Sequence, residues 1–146
     1  MNCEFNIREV KATDFEWIHC FVNALEETEF EFEVLKTVFL QNINNSNFIY
    51  LIAETDHQPI GYISCHSQHL LHHGGQKIGE IQELYVVPEF RNMRIGKQLI
   101  EQLIVLAKQK GITQLEVTSN NKRIATHRFY EREQFVQSHK KFTLKI

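Results

Sequence analysis

The stretch IGEIQELYVVPEFRNMRIGKQL, residues 78–99, decides how this chain folds. Its first half is rich in β-branched and aromatic residues and halts at Pro88, which predicts a strand over 78–87. A loop with Arg91, Arg94 and Lys97 follows, and a helix begins near Ile95. Over residues 95–110, Ile95, Leu99, Ile100, Leu103, Ile104 and Ala107 form one apolar stripe. Lys108 and Lys110 sit at the end where the helix dipole favours cations, and Gly111 is a natural C-terminal cap. The opening turn of such a helix exposes unpaired N–H groups and partial positive charge, a ready site for phosphate. Gly96 lets an anion approach the backbone, and the neighbouring cations suit a diphosphate better than a carboxylate.

Outward from this junction, residues 114–118 predict a strand, so 78–118 form a strand–helix–strand unit with a right-handed crossover. Upstream, residues 5–10 read as a strand. A helix follows with Thr13 or Asp14 as its cap and Phe15, Ile18, Val22 and Leu25 on one face. Phe32, Leu35, Phe39 and Ile43 mark a second helix over 31–43. Residues 48–54 and 60–66 read as strands joined by a turn at Asp56–Pro59, and 67–77 as a loop. Downstream come a helix over 122–132 and closing strands at 135–137 and 141–146. The order predicts an α/β fold: one domain over 1–146, a mixed sheet of about seven strands with helices on both faces.

Composition narrows the function. The 146 residues carry a formal charge of -2, so a protein that coats nucleic acid is not expected. No apolar run is long enough to span a bilayer, and the N-terminus shows no signal-peptide pattern. Cys3, Cys20 and Cys65 are an odd count without close spacing, which predicts reduced thiols in the cytoplasm.

VVPEFRNMRIGKQL resembles motif A of the Gcn5-related N-acetyltransferases, whose loop reads Arg/Gln-x-x-Gly-x-Gly/Ala. Arg91 and Gly96 match it, and Arg94 replaces the first glycine. Residues 119–135 resemble the later motif ending Phe/Leu-Tyr-x-x-x-Gly-Phe: Phe129, Tyr130 and Phe135 match, with Gln134 in place of the glycine. Within the family, HLLHH (69–73), IGEIQEL (78–84), THRFYERE (126–133) and QSHKKFT (137–143) resemble the branch that acetylates aminoalkylphosphonates. Parts also resemble aminoglycoside 6′-N-acetyltransferases.

The resemblance implies an acetyl-coenzyme A-dependent enzyme that acetylates a small primary amine by direct transfer. An aminoalkylphosphonate leads as acceptor, with an aminoglycoside or polyamine as the alternative. A coenzyme A-binding sensor is the non-enzymatic reading, and a nucleic-acid-binding regulator a further rival. The cosubstrate would lie in a V between the fourth and fifth strands. Its pyrophosphate would take N–H bonds from Asn92, Met93, Arg94, Ile95, Gly96 and Lys97 beside Arg91, and its pantetheine arm would pair with Leu84 and Val86. The Val86 N–H would serve as oxyanion donor.

An alkylammonium must lose a proton before it attacks, and the departing thiolate gains from a proton donor. Glu80 is the candidate base, sharing a strand face with Gln82, Leu84 and Val86 by simple alternation; Glu83 is held in reserve should a bulge shift the register. Tyr130 is the candidate acid. His66, His69, His72 and His73 lack a tight zinc pattern. The resemblance implies weak divalent-metal stimulation near the substrate, or His72 and its neighbours on an anionic phosphonate. Glu29 and Glu31, in EFEFE, would attract an amine cation. Cys65 reads as a buried spectator thiol, and the family implies a homodimer through the closing strands.

Overall fold

The computed structural model describes residues 4–146. β1 (Asn6–Glu9) leads into α1 (Phe15–Glu26) and α2 (Phe32–Ile43). β2 (Phe48–Thr55), β3 (Gln58–His69) and β4 (Lys77–Val86) follow, then α3 (Ile95–Gln109), β5 (Ile112–Val117) and α4 (Ile124–Arg132). The sheet runs β1-β2-β3-β4-β5, antiparallel except for the parallel β4–β5 pair that α3 connects.

Each sheet face is covered because both side-chain sets of the strands are apolar. α3 lays Leu99, Ile100, Leu103 and Ala107 against Leu51, Ala53, Ile63, Cys65 and Ile81, and Tyr130 of α4 joins that layer. On the other face, Phe15, Ile18 and Phe21 of α1 and Phe39 of α2 pack on Ile52 and Tyr62. Each such buried side chain contributes about 1.5–3 kcal/mol relative to exposure. Cys65 is a free, buried thiol in this core, and burial pushes it up to about 12.

Asp14 precedes α1, but its carboxylate does not cap the helix. It turns back to accept the Lys11 N–H at 2.7 Å and two bonds from the Arg8 guanidinium at 2.8 and 2.9 Å. α2 is capped by Glu31, which accepts the Val34 N–H at 2.9 Å. Asp56 and His57, with φ of 48° and 62°, form the two-residue turn that joins β2 to β3.

Two expectations change. β3 runs on to His69, so the predicted loop over 67–77 shrinks to the turn bearing Gly74 and Gly75. The described residues hold five strands rather than about seven, because 135–137 and 141–146 form none. Residues 136–146 are exposed throughout. An alternating segment becomes a strand only where an edge and a face receive it, and within this chain the tail meets neither.

Candidate active site

β4 is paired on both sides for half its length. Lys77–Ile81 align with Ile112–Val117 of β5, after which β5 ends and β4 continues to Val86. The sheet therefore opens between these strands. The Val87 N–H bonds Ile60 O on the β3 side at 2.9 Å. Backbone alternation then turns the N–H and C=O groups of Leu84 and Val86 toward the opening. Arg91 reaches back into it, its Nε donating to Val86 O at 2.9 Å and its guanidinium lying 5.6 Å from the Tyr85 ring centre.

The opening turn of α3 stands at the same end. The Gln98 N–H makes the first helical bond, to Arg94 O at 3.0 Å, so those of Ile95, Gly96 and Lys97 lie ahead of the ladder. No side chain caps this end. Ile95 is buried and Met93 packs on the core, so at these two positions only the backbone is offered to a ligand. Arg91, Asn92, Arg94 and Lys97 are exposed. Arg94 adopts φ 65°, the left-handed geometry for which the family pattern has glycine. Gln134 does the same at φ 73°. A non-glycine residue gives up about 1–2 kcal/mol in that geometry. A Cβ on Gly96 would lie 3.2 Å from Phe129, so the bare Cα serves the close approach of α4 to α3.

The carboxylates depend on a bulge. Ser64 aligns with Glu83 but Cys65 with Ile81, which leaves Gln82 as the extra residue of β4. Simple alternation breaks there. Ile81, Leu84 and Val86 all face α3, while Glu83, like Tyr62 and Tyr85, faces α1 and α2. Alternation from Ile81 puts Glu80 in that same layer. The expectation that Glu80 shares a face with Leu84 and Val86, opposite Glu83, is thus corrected by one inserted residue.

Glu83 is held firmly. Its Oε1 accepts from Tyr62 Oη at 2.7 Å and Ser64 Oγ at 2.8 Å, and its N–H donates to Ser64 Oγ at 3.1 Å. Tyr62 and Ser64 are buried, and burial followed by the Glu83 charge pushes the Tyr62 phenol well above its ordinary value. Glu80 has only a 3.5 Å contact from Thr118 Oγ1. Beside them His66 stacks on Phe48 at 3.6 Å and meets Tyr50 Oη through Nε2 at 2.6 Å, while Asn42 Nδ2 donates to the same hydroxyl at 3.0 Å. Burial holds His66 below its ordinary value despite Glu83 and Glu80, and lifts Tyr50 to about 12. Tyr62 and Ser64 were missed by sequence reasoning. The alternation of YISCH over 62–66 was the available signal, since it sets Tyr62, Ser64 and His66 on one face.

Tyr130 lies in the opposite layer, 8 % exposed, with Phe129 and Phe135 at 5.3 and 5.4 Å between ring centres. Burial, opposed by Arg123, raises its phenol to about 12, and its hydroxyl has no hydrogen-bond partner among the described residues. The gap between β4 and β5 connects the layer of Tyr130 to that of the glutamates.

Not every predicted residue converges here. Glu29 is exposed in the α1–α2 loop, and Glu31 is engaged as the α2 cap. Arg123 ties that region to α4, donating to Leu25 O at 2.8 Å. His72 is exposed beside His73 in the β3–β4 turn, at the Lys77 end of β4. The strand separates it from Val86 by about 30 Å, given a rise of ~3.3 Å per residue. The loop histidines and the opening occupy opposite ends of β4. Among the described residues, no three His, Cys, Asp or Glu side chains come together as metal ligands.

Residues 10–135 match the family described as Acetyltransferase (GNAT) family. An aminoalkylphosphonate N-acetyltransferase of Salmonella typhimurium is 36% identical over 141 residues, spanning 97% of this chain and 90% of that protein. A transcriptional regulator from Bacillus halodurans shares the fold with a TM-score of 0.88 at 21% identity, covering 98% of this chain and 100% of that one. An aminoglycoside antibiotic 6′-N-acetyltransferase from Acinetobacter baumannii does so at 0.85 and 20%, covering 98% of both.

Proposed function

The chain belongs to the GNAT acetyltransferase family and is an acetyl-coenzyme A-dependent N-acetyltransferase, and from that premise we propose that it acetylates the primary amine of an aminoalkylphosphonate by direct transfer. The observation that carries the acceptor is the 36% identity to the Salmonella enzyme along nearly the whole chain. A cytoplasmic setting accords with the free thiols of Cys20 and Cys65.

The residues at the opening fit the cosubstrate. The N–H groups of Ile95, Gly96 and Lys97, with the Arg94 and Lys97 cations, suit its diphosphate. The edge at Leu84 and the Val86 N–H, with the Val86 carbonyl held by Arg91, suits its pantetheine arm as an added strand. When bound, it supplies the thioester that the amine attacks. The Val86 N–H then steadies the carbonyl oxygen; one such donor is worth roughly 2.7–4 kcal/mol in a well-studied protease.

One ammonium proton passes to a carboxylate, the neutral nitrogen bonds to the acetyl carbon and sheds a second proton to solvent on its way to the amide, and the carbon–sulfur bond breaks, so that one proton is released net once the thiolate is protonated. Glu80 and Glu83 both face the side where the amine must arrive. Glu83 is the better placed, because Tyr62 and Ser64 hold Oε1 and leave Oε2 to receive the proton, directly or through water. The sulfur departs toward Tyr130. At about 12 this phenol stays protonated, and the coenzyme thiolate, with a conjugate acid near roughly 8.5, is the weaker base. Tyr130 therefore aids departure by donating a hydrogen bond, and the proton that completes the thiol comes ultimately from the glutamate through solvent.

A polyamine or aminoglycoside is the second reading. It is favoured by Glu116, which aligns with Glu80 and adds a third carboxylate to that layer. Parallel turnover measurements with 2-aminoethylphosphonate, spermidine and aminoglycosides decide between them. Preference for the phosphonate in kcat/KM is the expected result; preference for a polycation transfers the assignment to the second reading.

A further inference from the structure

The sheet separates two layers of side chains, and they meet where it is open. α3 and Tyr130 of α4 lie on one face, α1 and α2 on the other. α1 crosses its face from β2 toward β4. Phe15, at its start, packs on Phe39, which meets Tyr50 of β2; Phe21, further along, packs on Tyr85 of β4. Leu25 and Glu26 end the helix one turn later. They overhang the side of β4 that β5 has left. Arg123 stands across from them, immediately before α4. Its Nη2 donates to Leu25 O at 2.8 Å, so the side chain leaves the Tyr130 layer and reaches the other one at the mouth of the opening. Its charge lowers the Tyr130 phenol against the rise from burial, as its place on the same side of α4 requires.

The fold leaves most of this cation unused. A guanidinium carries more N–H donors than the bond to Leu25 O consumes. The Glu26 carboxylate stays 3.9 Å away, outside hydrogen-bond distance, and the Arg123 side chain is 38 % exposed. The floor beneath has the opposite sign: Glu83 and Glu80 on β4, with Glu116 of β5 aligned with Glu80. That floor draws in an amine as its ammonium. An anionic group on the same molecule is repelled by it and must point out through the mouth, where Arg123 lies.

We propose that Arg123 is the anion-recognising residue of the acceptor site. Its free guanidinium edge takes the phosphonate oxygens while the amine at the other end of the molecule meets the carboxylates. This rests on the aminoalkylphosphonate reading and deepens it, because it names the group that tells a zwitterionic acceptor from a plain amine or a polycation. A planar fork suits the task, since it gives two parallel N–H bonds to phosphonate oxygens. The bond to Leu25 O holds the side chain in place beforehand, so less ordering is left for binding to impose.

Arg123→Gln should lower the ratio of kcat/KM for 2-aminoethylphosphonate to that for propylamine by about 10–100-fold, the usual effect of losing hydrogen bonds between charged groups, chiefly through KM for the phosphonate. Arg123→Lys keeps the charge without the fork and should fall between. A residue that only ties α1 to α4 would slow both amines alike, and an unchanged ratio would overturn the assignment. Ethylphosphonate, an anion without an amine, tests the subsite apart from the acceptor. At saturating acetyl-coenzyme A it should compete with whichever amine is turned over best, and its inhibition constant should rise by a similar factor in Arg123→Gln. In the wild-type protein with coenzyme A bound, it should also shift the Arg123 Nε–H resonance, a readout that does not depend on a variant folding. If ethylphosphonate acts through Arg123 while the wild type prefers spermidine, the anion site stands and the acceptor reading falls. If the wild type prefers 2-aminoethylphosphonate but neither the ratio nor the resonance responds, the acceptor reading stands and Arg123 is not its anion partner.

Discussion

The two halves of β4 are one strand with two fates. From Lys77 to Ile81 it has a partner on either side, and Ile78, Gly79 and Ile81 are buried. From Gln82 to Val86 it keeps only β3, and none of its residues is fully buried. The closed half leaves the backbone nothing to offer. The open half offers the edge at Leu84 and Val86, and the bulge at its start aims Glu83 into the layer of Tyr62 and Ser64. A site arises here because a neighbouring strand stops early, and the cost is an incompletely satisfied edge that a ligand can complete.

The sharpest break in this comparison is at the bulge. Glu83→Gln should lower kcat/KM for the best amine by about 10²–10⁴-fold, the usual contribution of a positioned acid or base, with coenzyme binding retained. Glu80→Gln, within the closed half, should cost less than Glu83→Gln in the same steady-state assay. The reverse order would return the base to Glu80. Tyr130→Phe should lower kcat by about 10²-fold, at the low end of that range. Because burial keeps the phenol protonated up to about 12, the loss should be the same at every pH below that value. A loss seen only on one limb of the pH–rate profile would refute the hydrogen-bonding role.

The closed half should respond in stability rather than rate. A Cβ on Gly79 would lie 2.9 Å from Cys65 Sγ and 3.0 Å from Leu115 Cδ2, both within the core. Gly79→Ala should therefore destabilise by about 1–3 kcal/mol, as overpacked cores do, with the KM values of the surviving enzyme near wild type. Urea unfolding beside steady-state kinetics separates the two effects. His66 adds a pH signature to the same layer. Its folded pKa lies below the ordinary value, so the unfolded chain binds more protons as pH falls below about 6.5. The stability tied to neutral His66 is whole above that pH and lost as pH descends through the folded value. Melting curves at pH 7 and 5 should show a larger fall for wild type than for His66→Gln.

Much of this was legible because it is local. The α3 stripe, the stop at Pro88 and the Arg91–Lys97 cations lie within one window, and their periodicity alone locates the strand-to-helix junction where the cosubstrate is proposed to bind. The bulge was not legible, since Gln82 is extra only relative to Ser64 and Cys65 across the strand pair. The misplacement of Leu84 and Val86 relative to Glu80 follows from that one residue. The distance of His72 from the opening was not legible for the complementary reason: proximity in sequence to β4 does not say which end of a long strand a loop joins. The closing strands failed because alternation marks a segment able to pair, while pairing itself requires an edge within reach.

The smallest predicted effect tests the loop before α3. Arg94 and Gln134 both hold left-handed geometry at positions where the family motifs carry glycine, and their compensations differ. Gln134 ends α4, where a single residue reverses the chain so that the Phe135 N–H reaches Tyr130 O at 2.9 Å. Arg94 starts α3 and contributes a cation where the diphosphate is proposed to bind. Glycine relieves about 1–2 kcal/mol of steric cost but surrenders roughly 0.5–1 kcal/mol of chain entropy, so each change should stabilise by at most about 1.5 kcal/mol. Gln134→Gly should raise the melting temperature and leave kinetics alone. Arg94→Gly should raise it similarly yet increase the KM for acetyl-coenzyme A, more at low salt than at high, because an exposed charge acts through a screened field. Equal kinetics for the two variants would remove Arg94 from the cosubstrate site and leave the α3 amides as its anion-binding element.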